Sequence, residues 1–526
     1  MLDPILPNPG GKSQPLLRTM LRTMAFLIYL KITLSSTALA SFRIGDSYRN
    51  ILNSYLVERE KMEKQFGIDR TVGSVPRHLL SYTLPMLLGN LIQVGYSLVN
   101  TIWVGHLVGE NAVGAVGVSL PIFFMLVGFS MGITMATTIL VSQYYGAKDY
   151  KMVEKAVDTS FSLSIVLGLA LSIAGIFSSD TVLRWVGTPP ENFTLASSYL
   201  KISLAAFVLL YLGFLINSIL RGIGDTLTPL AFMATGIGLN IILDPFLIGG
   251  FGPFPKLGLN GAAYASVISQ AAALIISIVY LNRKSHLIAF HPPRLLLDGH
   301  MSSMIFKIGL PSIVQQMLVW IGALFITTFV NFFGSAATNA FGAVARVDMF
   351  AVMPAVSMSM AVSALTGQNL GARKPERVKE IFKWGVIMIS SLTLLVSVMA
   401  VFFSELILKM FGLGSDLAVM RIGVHYLRIV GSCYIFFAVT FISNGVINGA
   451  GHTFITMIFS LLSLWFIRVP GSWFLSRKTS LGITGIWISV AFSFLFVMVI
   501  SLAYYYSGGW KKDAMIKTPP VVPVIE

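Results

Sequence analysis

The chain has 526 residues, of which 55% are hydrophobic and only 11% are charged. Soluble proteins carry about 25% charged residues, so this composition excludes a water-soluble protein and predicts an all-α integral membrane protein. The net charge of +15 then indicates basic cytoplasmic loops rather than nucleic-acid binding, and the single Cys433 excludes a disulfide within the chain.

Residues 1–77 differ from the rest, because they mix basic, acidic and polar residues with one weakly apolar patch at 24–40. The patch ends in Ala-Leu-Ala at 38–40, which fits a signal-peptide cleavage site, but Lys31 interrupts its apolar middle. A short membrane span would carry the same lysine. We therefore expect a cytoplasmic or interfacial N-terminal extension here.

Apolar stretches of membrane-crossing length follow this extension and recur almost to the C-terminus. A helix needs about 20 apolar residues to cross the hydrocarbon core, and we count twelve such spans. We expect two six-helix bundles, at 78–285 and 303–508. A cytoplasmic linker at 286–302 joins them, and a cytoplasmic tail at 509–526 follows. The predicted spans are 78–104, 112–143, 153–177, 194–220, 228–249, 258–282, 303–330, 339–366, 378–402, 420–446, 452–475 and 482–507.

Lysine and arginine residues concentrate in alternate loops between these spans. Membrane proteins keep such residues on the cytoplasmic side, so the alternation predicts a multi-pass protein with both termini in the cytoplasm. The loop after span eleven, which carries Arg477 and Lys478, departs from the pattern. The basic residues of the predicted cytoplasmic loops and tail are Lys148, Lys151, Lys155, Arg283, Lys284, Arg294, Arg373, Lys374, Arg377, Lys379, Lys383, Lys511, Lys512 and Lys517.

The two halves of the chain repeat one another. SQYYGAKDYKMVEKA (142–156) matches TGQNLGARKPERVKE (366–380), and NSILRGIGDT (217–226) matches NGVINGAGHT (444–453). Each half holds an even number of spans, so both halves enter the membrane from the same side. The repeat therefore predicts a pseudo-two-fold axis along the membrane normal, an arrangement that secondary transporters use for alternating access.

Asp244 lies inside the apolar run GIGLNIILDPFLIGG of span five. A carboxylate in a span costs about 2.5–3.5 kcal/mol on insertion scales, so its presence there points to a function. Asn240 precedes it by one helical turn and shares its helix face, and Pro245 leaves one backbone carbonyl without its helical partner. In the internal repeat this pair aligns with Val469-Pro470, so the proline is duplicated and the carboxylate is not.

Oxygen atoms grouped in this way suit a hard cation such as sodium, and a lone carboxylate could instead carry a proton. We therefore predict a cation site at Asp244 and Asn240 and no other metal site. The alternative is a structural role, in which Asp244 pairs with an arginine or caps a broken helix.

Several motifs together resemble the multidrug and toxic compound extrusion (MATE) transporters, in particular their prokaryotic DinF-like branch. The resemblance covers about residues 78–508, and each motif would be weak evidence by itself. The motifs are Pro85 and Gln93 leading into WVGHLVG (103–109), QYYGA (143–147), NSILRGIGDTLTP (217–229), NIILDP (240–245) and GLNGAAYAS (258–266).

This resemblance implies a secondary active antiporter, and not an enzyme, in the plasma membrane of a prokaryote. Such a protein would export organic, cationic and amphipathic compounds in exchange for sodium ions or protons, by alternating access. We expect no cofactor, no nucleic-acid partner, and a monomer in contact with membrane lipid. The alternative is a lipid-linked oligosaccharide flippase of the same superfamily, which the scarcity of lysine and arginine inside the spans disfavours.

The resemblance also implies which residues bind the coupling cation in the N-terminal bundle. By matching motif, span five contributes Asn240 and Asp244, and span six contributes Ser266. The span-one position falls on Asn100, where the family usually has an acid. The site would then hold one formal charge, and Asp244 would be its only titrating group.

A substrate cavity is expected between the two bundles. Span seven carries two glutamines where the NorM-like branch is expected to place a glutamate, and they could line this cavity or bond to another helix. Asp348 of span eight is a second acid that could face the cavity or pair structurally. Flexible methionine and aromatic side chains suit a wall that accepts varied ligands. The predicted lining residues are Gln315, Gln316, Tyr96, Phe124, Met125, Trp320 and Asp348.

Overall fold

A computed structural model of the chain describes residues 67–252, 254–284, 287–289, 297–411 and 416–511. The predicted extension up to residue 66, much of the predicted linker and the tail from residue 512 lie outside the described residues, as does the side chain of Phe124. The described part of the chain folds into helices without a β-strand, which confirms the predicted all-α class.

The first half of the described chain forms six spans, which we call the N-terminal bundle. The fourth consists of two shorter helices. The spans are α1 (Val75–Leu107), α2 (Glu110–Gly146), α3 (Tyr150–Trp185), α4 (Pro190–Ala205 with Phe207–Gly222), α5 (Leu227–Gly249) and α6 (Leu259–Lys284).

The second half forms the C-terminal bundle. A short helix, Ser404–Met410, precedes its fourth span, and a 3-10 turn, Gly509–Lys511, follows its last span. The spans are α7 (Gly299–Asn331), α8 (Ser335–Gly371), α9 (Pro375–Phe402), α10 (Leu417–Gly449), α11 (Thr453–Arg477) and α12 (Ile483–Ser507). Within the described residues, eleven helices are long and apolar enough to cross a membrane, and the bent α4 makes a twelfth.

Three of the spans begin at an aspartate that caps the helix. Asp149 accepts a hydrogen bond from the backbone N–H of Met152 at 3.2 Å at the start of α3. Asp298 does the same for Met301 at 2.7 Å at the start of α7, and Asp416 caps α10. Such caps satisfy backbone donors that have no partner inside the helix, and each contributes about 1 kcal/mol.

Two spans break at positions that correspond in the internal repeat. The two parts of α4 meet at Ala206 with a bend of 47°, and α10 contains a 3-10 turn at Gly431–Cys433. The span predicted at 194–220 corresponds to this bent pair of helices. The sequence around Ala206 has no proline or glycine, so tertiary packing and not a local breaker sets this bend.

A wide turn in α11 holds an arginine inside the C-terminal bundle. Residues Leu462–Arg468 are π-helical, a conformation that usually marks a functional or strained position. The Arg468 Nε donates a hydrogen bond to the Ser493 Oγ of α12 at 2.7 Å. Its guanidinium lies 4.7 Å from the ring centroid of Phe494. These contacts tie α11 to α12 and give a half-buried cation its partners.

The two bundles meet along the first two spans of each. Helix α2 packs against both α7 and α8, and α1 packs against α8. The pairs α1–α8 and α7–α2 are equivalent under the internal repeat. This is the arrangement that the predicted pseudo-two-fold axis requires, with α2 and α8 beside the axis.

Two glycines permit the close approach of α2 and α8. A Cβ atom added to Gly146 would overlap the backbone of Gln368, and one added to Gly371 would overlap the backbone of Gln143. All four residues belong to the repeated Gln-x-x-Gly-Ala motif. We call them the bundle seal, and they lie at the end of the spans that the loop charges assign to the cytoplasm.

Substituting Gly146 by alanine should therefore destabilise the folded protein. The added methyl group must push apart two helix backbones, and overpacking of this kind costs about 1–3 kcal/mol. Gly117→Ala is the matched control, because it lies in the same helix with no atom within 4 Å of an added Cβ. Thermal unfolding in detergent should give a lower midpoint for Gly146→Ala only. Equal midpoints for the two variants would contradict the close contact.

Candidate functional site

Two polar side chains of α5 are buried in the N-terminal bundle. Asp244 is 0% exposed and Asn240 is 3% exposed. They lie one helical turn apart on the same face. Neither carboxylate oxygen of Asp244 accepts a hydrogen bond from a described residue, so the described part of the chain provides no hydrogen-bonding partner for this acid.

Helix α6 contributes the third polar residue. The Asn240 Nδ2 donates a hydrogen bond to the Ser266 Oγ at 3.2 Å. The Tyr96 hydroxyl of α1 lies 3.4 Å from the same oxygen. Ser266 therefore connects α1, α5 and α6, and Tyr96, which we predicted in the substrate cavity, lies in this polar cluster.

Asn100 is a further polar residue of α1. It follows Tyr96 by one helical turn, so both side chains share a face of α1. The Asn100 Oδ1 is buried and accepts no hydrogen bond from a described residue, as is true of the Asn240 Oδ1. The carboxylate of Asp244 interacts electrostatically with Tyr96 and with Tyr199 of α4. We call Tyr96, Asn100, Asn240, Asp244 and Ser266 the polar cluster.

The chemistry of the polar cluster fits a monovalent cation. Its unpaired atoms are carboxylate and amide oxygens, which are the ligands that hard cations prefer. Burying such acceptors without a donor or a cation is costly. Residues Asn100, Asn240 and Asp244 would hold a sodium ion, and Asp244 would hold a proton in its place.

The polar cluster lies far from the bundle seal. Asp244 is near the C-terminal end of α5, about 8 Å from it at 1.5 Å per residue. The opposite end of α5 follows the turn after Gly222, whose carbonyl oxygen bonds to the seal residue Gln368. The cluster and the seal therefore occupy opposite ends of the membrane-spanning region.

The bundle seal contains a pair of hydrogen bonds exchanged between the bundles. The Gln143 Nε2 of α2 donates to the carbonyl oxygen of Gly449 at the end of α10, at 2.9 Å. The Gln368 Nε2 of α8 donates to the carbonyl oxygen of Gly222 at the end of α4, at 3.0 Å. Both glutamines are about 1% exposed. The repeat relates the two bonds, and the sequence signal for them was the duplicated Gln-x-x-Gly-Ala motif.

The segment 67–74 before α1 crosses the bundle seal. The Arg70 backbone N–H donates to the Gln368 Oε1 at 3.2 Å, and its Nη2 donates to the carbonyl oxygen of Gly224 at 3.0 Å. Burial lowers the pKa of the Arg70 guanidinium, and Tyr82 opposes this shift. Arginine nevertheless stays charged in proteins, and this cation bonds to Ser81 and Gly224 of the N-terminal bundle while its backbone N–H reaches Gln368 of the C-terminal bundle.

Two basic residues after α8 donate hydrogen bonds to the segment 67–74. The Lys374 Nζ donates to the carbonyl oxygen of Thr71 at 3.0 Å, and the Arg377 Nη2 donates to the carbonyl oxygen of Gly73 at 3.0 Å. These contacts join the start of α1 to the C-terminal bundle. Sequence reasoning missed this role and counted both residues only as loop charges.

The predicted cavity residues of α7 and α2 do not share one environment. The Gln315 Nε2 donates to the Ser460 Oγ of α11 at 2.7 Å, so this residue bonds to a neighbouring helix. Gln316 faces Gly128 of α2 across the bundle interface. The structure leaves two other predicted lining side chains exposed, Met125 and Trp320.

Asp348 accepts hydrogen bonds from two tyrosines of α10. The Tyr426 hydroxyl donates to its Oδ2 at 2.6 Å, and the Tyr434 hydroxyl donates to its Oδ1. Tyr426 corresponds in the repeat to Tyr199, which neighbours Asp244. Each bundle thus places one acid beside a duplicated tyrosine, but within the described part of the chain Asp348 has hydrogen-bond donors and Asp244 has none.

The hydrogen bonds at Ser266 predict a measurable contribution to stability. Ser266→Ala removes the acceptor for Asn240 and leaves a buried donor unpaired, which costs about 1–3 kcal/mol. Ser269→Ala in the same helix is the control, because its buried hydroxyl has no partner among the described residues. Thermal unfolding midpoints should fall for Ser266→Ala and stay level or rise for Ser269→Ala. A fall of the same size in both would contradict the Ser266 network.

Comparison with known proteins places this architecture in a family. The MatE family model matches residues 85–246 and 311–474, one region in each bundle. The chain is 32% identical to the probable multidrug resistance protein YoeA of Bacillus subtilis (strain 168), over 84% of this chain and 96% of that protein. It is 29% identical to the multidrug export protein MepA of Staphylococcus aureus (strain N315), over 71% of this chain and 81% of that protein.

Solved structures share the fold. One is described as the outward-facing conformation of a multidrug resistance MATE family transporter of the MOP superfamily. It matches with a TM-score of 0.77 at 22% identity, over 85% of this chain and 99% of that chain. The family match covers more than half of the sequence and both bundles, so this chain belongs to the MatE family of membrane transporters.

Proposed function

We propose that this protein exports organic, cationic and amphipathic compounds across the plasma membrane in exchange for sodium ions or protons. The observation that carries the proposal is the polar cluster, in which the Asp244 carboxylate is fully buried without a hydrogen-bond donor among the described residues. A buried and unpaired acid in a membrane span is expected to serve a function. The names of the multidrug relatives support the export of drug-like compounds.

The polar cluster suggests how the cation acts on the transporter. A ligand shifts a conformational equilibrium only through different affinities for the two states. A sodium ion or proton at Asp244 neutralises the one formal charge of the cluster. The free energy of burying this charge then changes, which would favour one packing of α1, α5 and α6 over another.

The bundle seal supports alternating access as the transport mechanism. The bundles are closed at the end that the loop charges assign to the cytoplasm, so a path between them would open at the other end. Gln143 and Gln368 each hold a helix terminus of the opposite bundle. Both bonds must break when the cytoplasmic end opens, and the freed Gly449 and Gly222 carbonyls would then bond to water.

The coupling role of Asp244 can be tested by transport in proteoliposomes. We expect Asp244→Asn to reduce gradient-driven efflux of a cationic dye by about tenfold or more, because the variant cannot change charge. Sodium and proton gradients should be imposed separately, so that the wild-type response identifies the coupling ion. The control is Asp180→Asn, which removes an acid that pairs with Lys201 on the surface of α3.

Two outcomes of this experiment would contradict the proposal. Undiminished coupling in Asp244→Asn would remove Asp244 from the mechanism. Failure of either gradient to drive any compound through the wild-type protein would remove the exporter function. An Asn100→Asp variant adds a second charge to the cluster and should change the dependence of efflux on cation concentration.

Opening of the bundle seal can be followed by cysteine labelling. Ser142 is 0% exposed beside the seal, so in a Cys433→Ser background the Ser142→Cys thiol should react slowly with a membrane-impermeant maleimide. Adding Gln143→Ala removes one of the exchanged bonds and should raise the labelling rate about fivefold or more, since one such bond contributes about 1 kcal/mol. Gln270→Ala of α6 is the control and should leave the rate unchanged. If Gln143→Ala leaves the labelling rate unchanged, the hydrogen bond of Gln143 does not hold the bundle seal closed.

A further inference from the structure

A groove lies on the outer surface of the C-terminal bundle, where α9 begins and α12 ends. Its volume is about 500 Å³. It is separate from the polar cluster and from the bundle seal, and neither uses its residues. Three lysines and a set of aromatic side chains line it, so it combines positive charge with an apolar surface.

The three lysines gather positive charge at the rim of the groove. Lys379 and Lys383 lie one helical turn apart on the same face of α9, and Lys511 follows α12 in a 3-10 turn. Lys379 pairs with Glu376 at 2.7 Å, while Lys383 forms no hydrogen bond or ion pair with another described residue. The groove therefore carries a surplus of positive charge that is open to an anion.

Stacked aromatic rings form the floor of the groove. The Phe382 ring stacks on Tyr505 with 3.8 Å between centroids, and Tyr505 stacks on Trp510 at 5.8 Å. The Trp510 Nε1 donates to the carbonyl oxygen of Tyr505 at 3.0 Å, and this side chain is 1% exposed. These contacts fix the floor, so the groove is shaped before any ligand binds.

The groove changes from charged to apolar along α9. Lys379 and Lys383 come first, and Val386 and Ile387 line it one turn deeper toward the membrane interior. The charged end lies on the side that the loop charges assign to the cytoplasm. A ligand that fits this gradient has an anionic head at the membrane surface and an apolar tail within the bilayer.

We propose that this groove binds an anionic phospholipid of the cytoplasmic leaflet, such as a phosphatidylglycerol. Its phosphodiester would lie between Lys379, Lys383 and Lys511, and an acyl chain would follow Val386 and Ile387. Each basic residue near a membrane surface attracts anionic lipid, and the aromatic floor supplies apolar contact for the glycerol and upper acyl region.

Lipid binding to the purified full-length protein in neutral detergent tests this site. Native mass spectrometry should show dioleoylphosphatidylglycerol binding about tenfold more tightly than dioleoylphosphatidylcholine. The combined variant Lys379→Gln, Lys383→Gln and Lys511→Gln should reduce this preference to about twofold or less. The matched control replaces Lys151, Lys284 and Lys307 by glutamine, which removes the same charge from the same membrane side outside the groove, and it should keep the preference.

Three outcomes would overturn the proposal. The first is an equal loss of the phosphatidylglycerol preference in the control variant, which would mean that the lipid is attracted by the overall positive charge of the protein. The second is displacement of phosphatidylglycerol by glycerol phosphate at the same concentration as the lipid, which would mean that the groove binds a free phosphate compound. The third is unchanged phosphatidylglycerol binding in Ile387→Trp, which fills the apolar part of the groove without changing its charge. If the lysine variant does not fold, Lys383→Gln and Ile387→Trp still decide the question.

Discussion

The ends of α4 and α10 set the principal constraint on this structure. A helix leaves its last carbonyl oxygens without intrahelical partners, and a membrane protein must satisfy them within the protein or with water. Here the carbonyl oxygens of Gly222 and Gly449 each accept a hydrogen bond from a glutamine of the opposite bundle. The two bundles therefore complete one another at this end. Helices α2 and α8, which carry these glutamines, also approach closely at this end, at Gly146 and Gly371.

The segment 67–74 before α1 is bonded to the bundle seal. Its backbone and the Arg70 guanidinium fill the surface above Gln368 and Gly224. The basic residues Lys374 and Arg377 hold it from the C-terminal bundle. A motion that separates the bundles at this end must break these bonds as well. The segment before α1 and the bundle seal would therefore open together.

Duplication has produced two bundles with similar helices and different acids inside their spans. The tyrosine pair Tyr199 and Tyr426 is shared, yet its acidic neighbour comes from α5 in one bundle and from α8 in the other. Asp348 is satisfied by two phenolic hydroxyl groups, as expected of a residue that stabilises its bundle. Asp244 has no such donor among the described residues, and this difference in hydrogen bonding separates the two acids.

The sequence by itself determined the membrane class, the twelve spans, the internal repeat and the shared face of Asn240 and Asp244. These features are local or periodic, since they depend on apolar length and on 3.6 residues per helical turn. Only the tertiary structure decided that Tyr96 contacts Ser266, that Gln315 bonds to α11 and that α4 bends at Ala206. Such contacts join residues far apart in the chain. They depend on how each helix is rotated and packed against its neighbours. A membrane helix is apolar on every side, so its sequence does not show which side faces which neighbour.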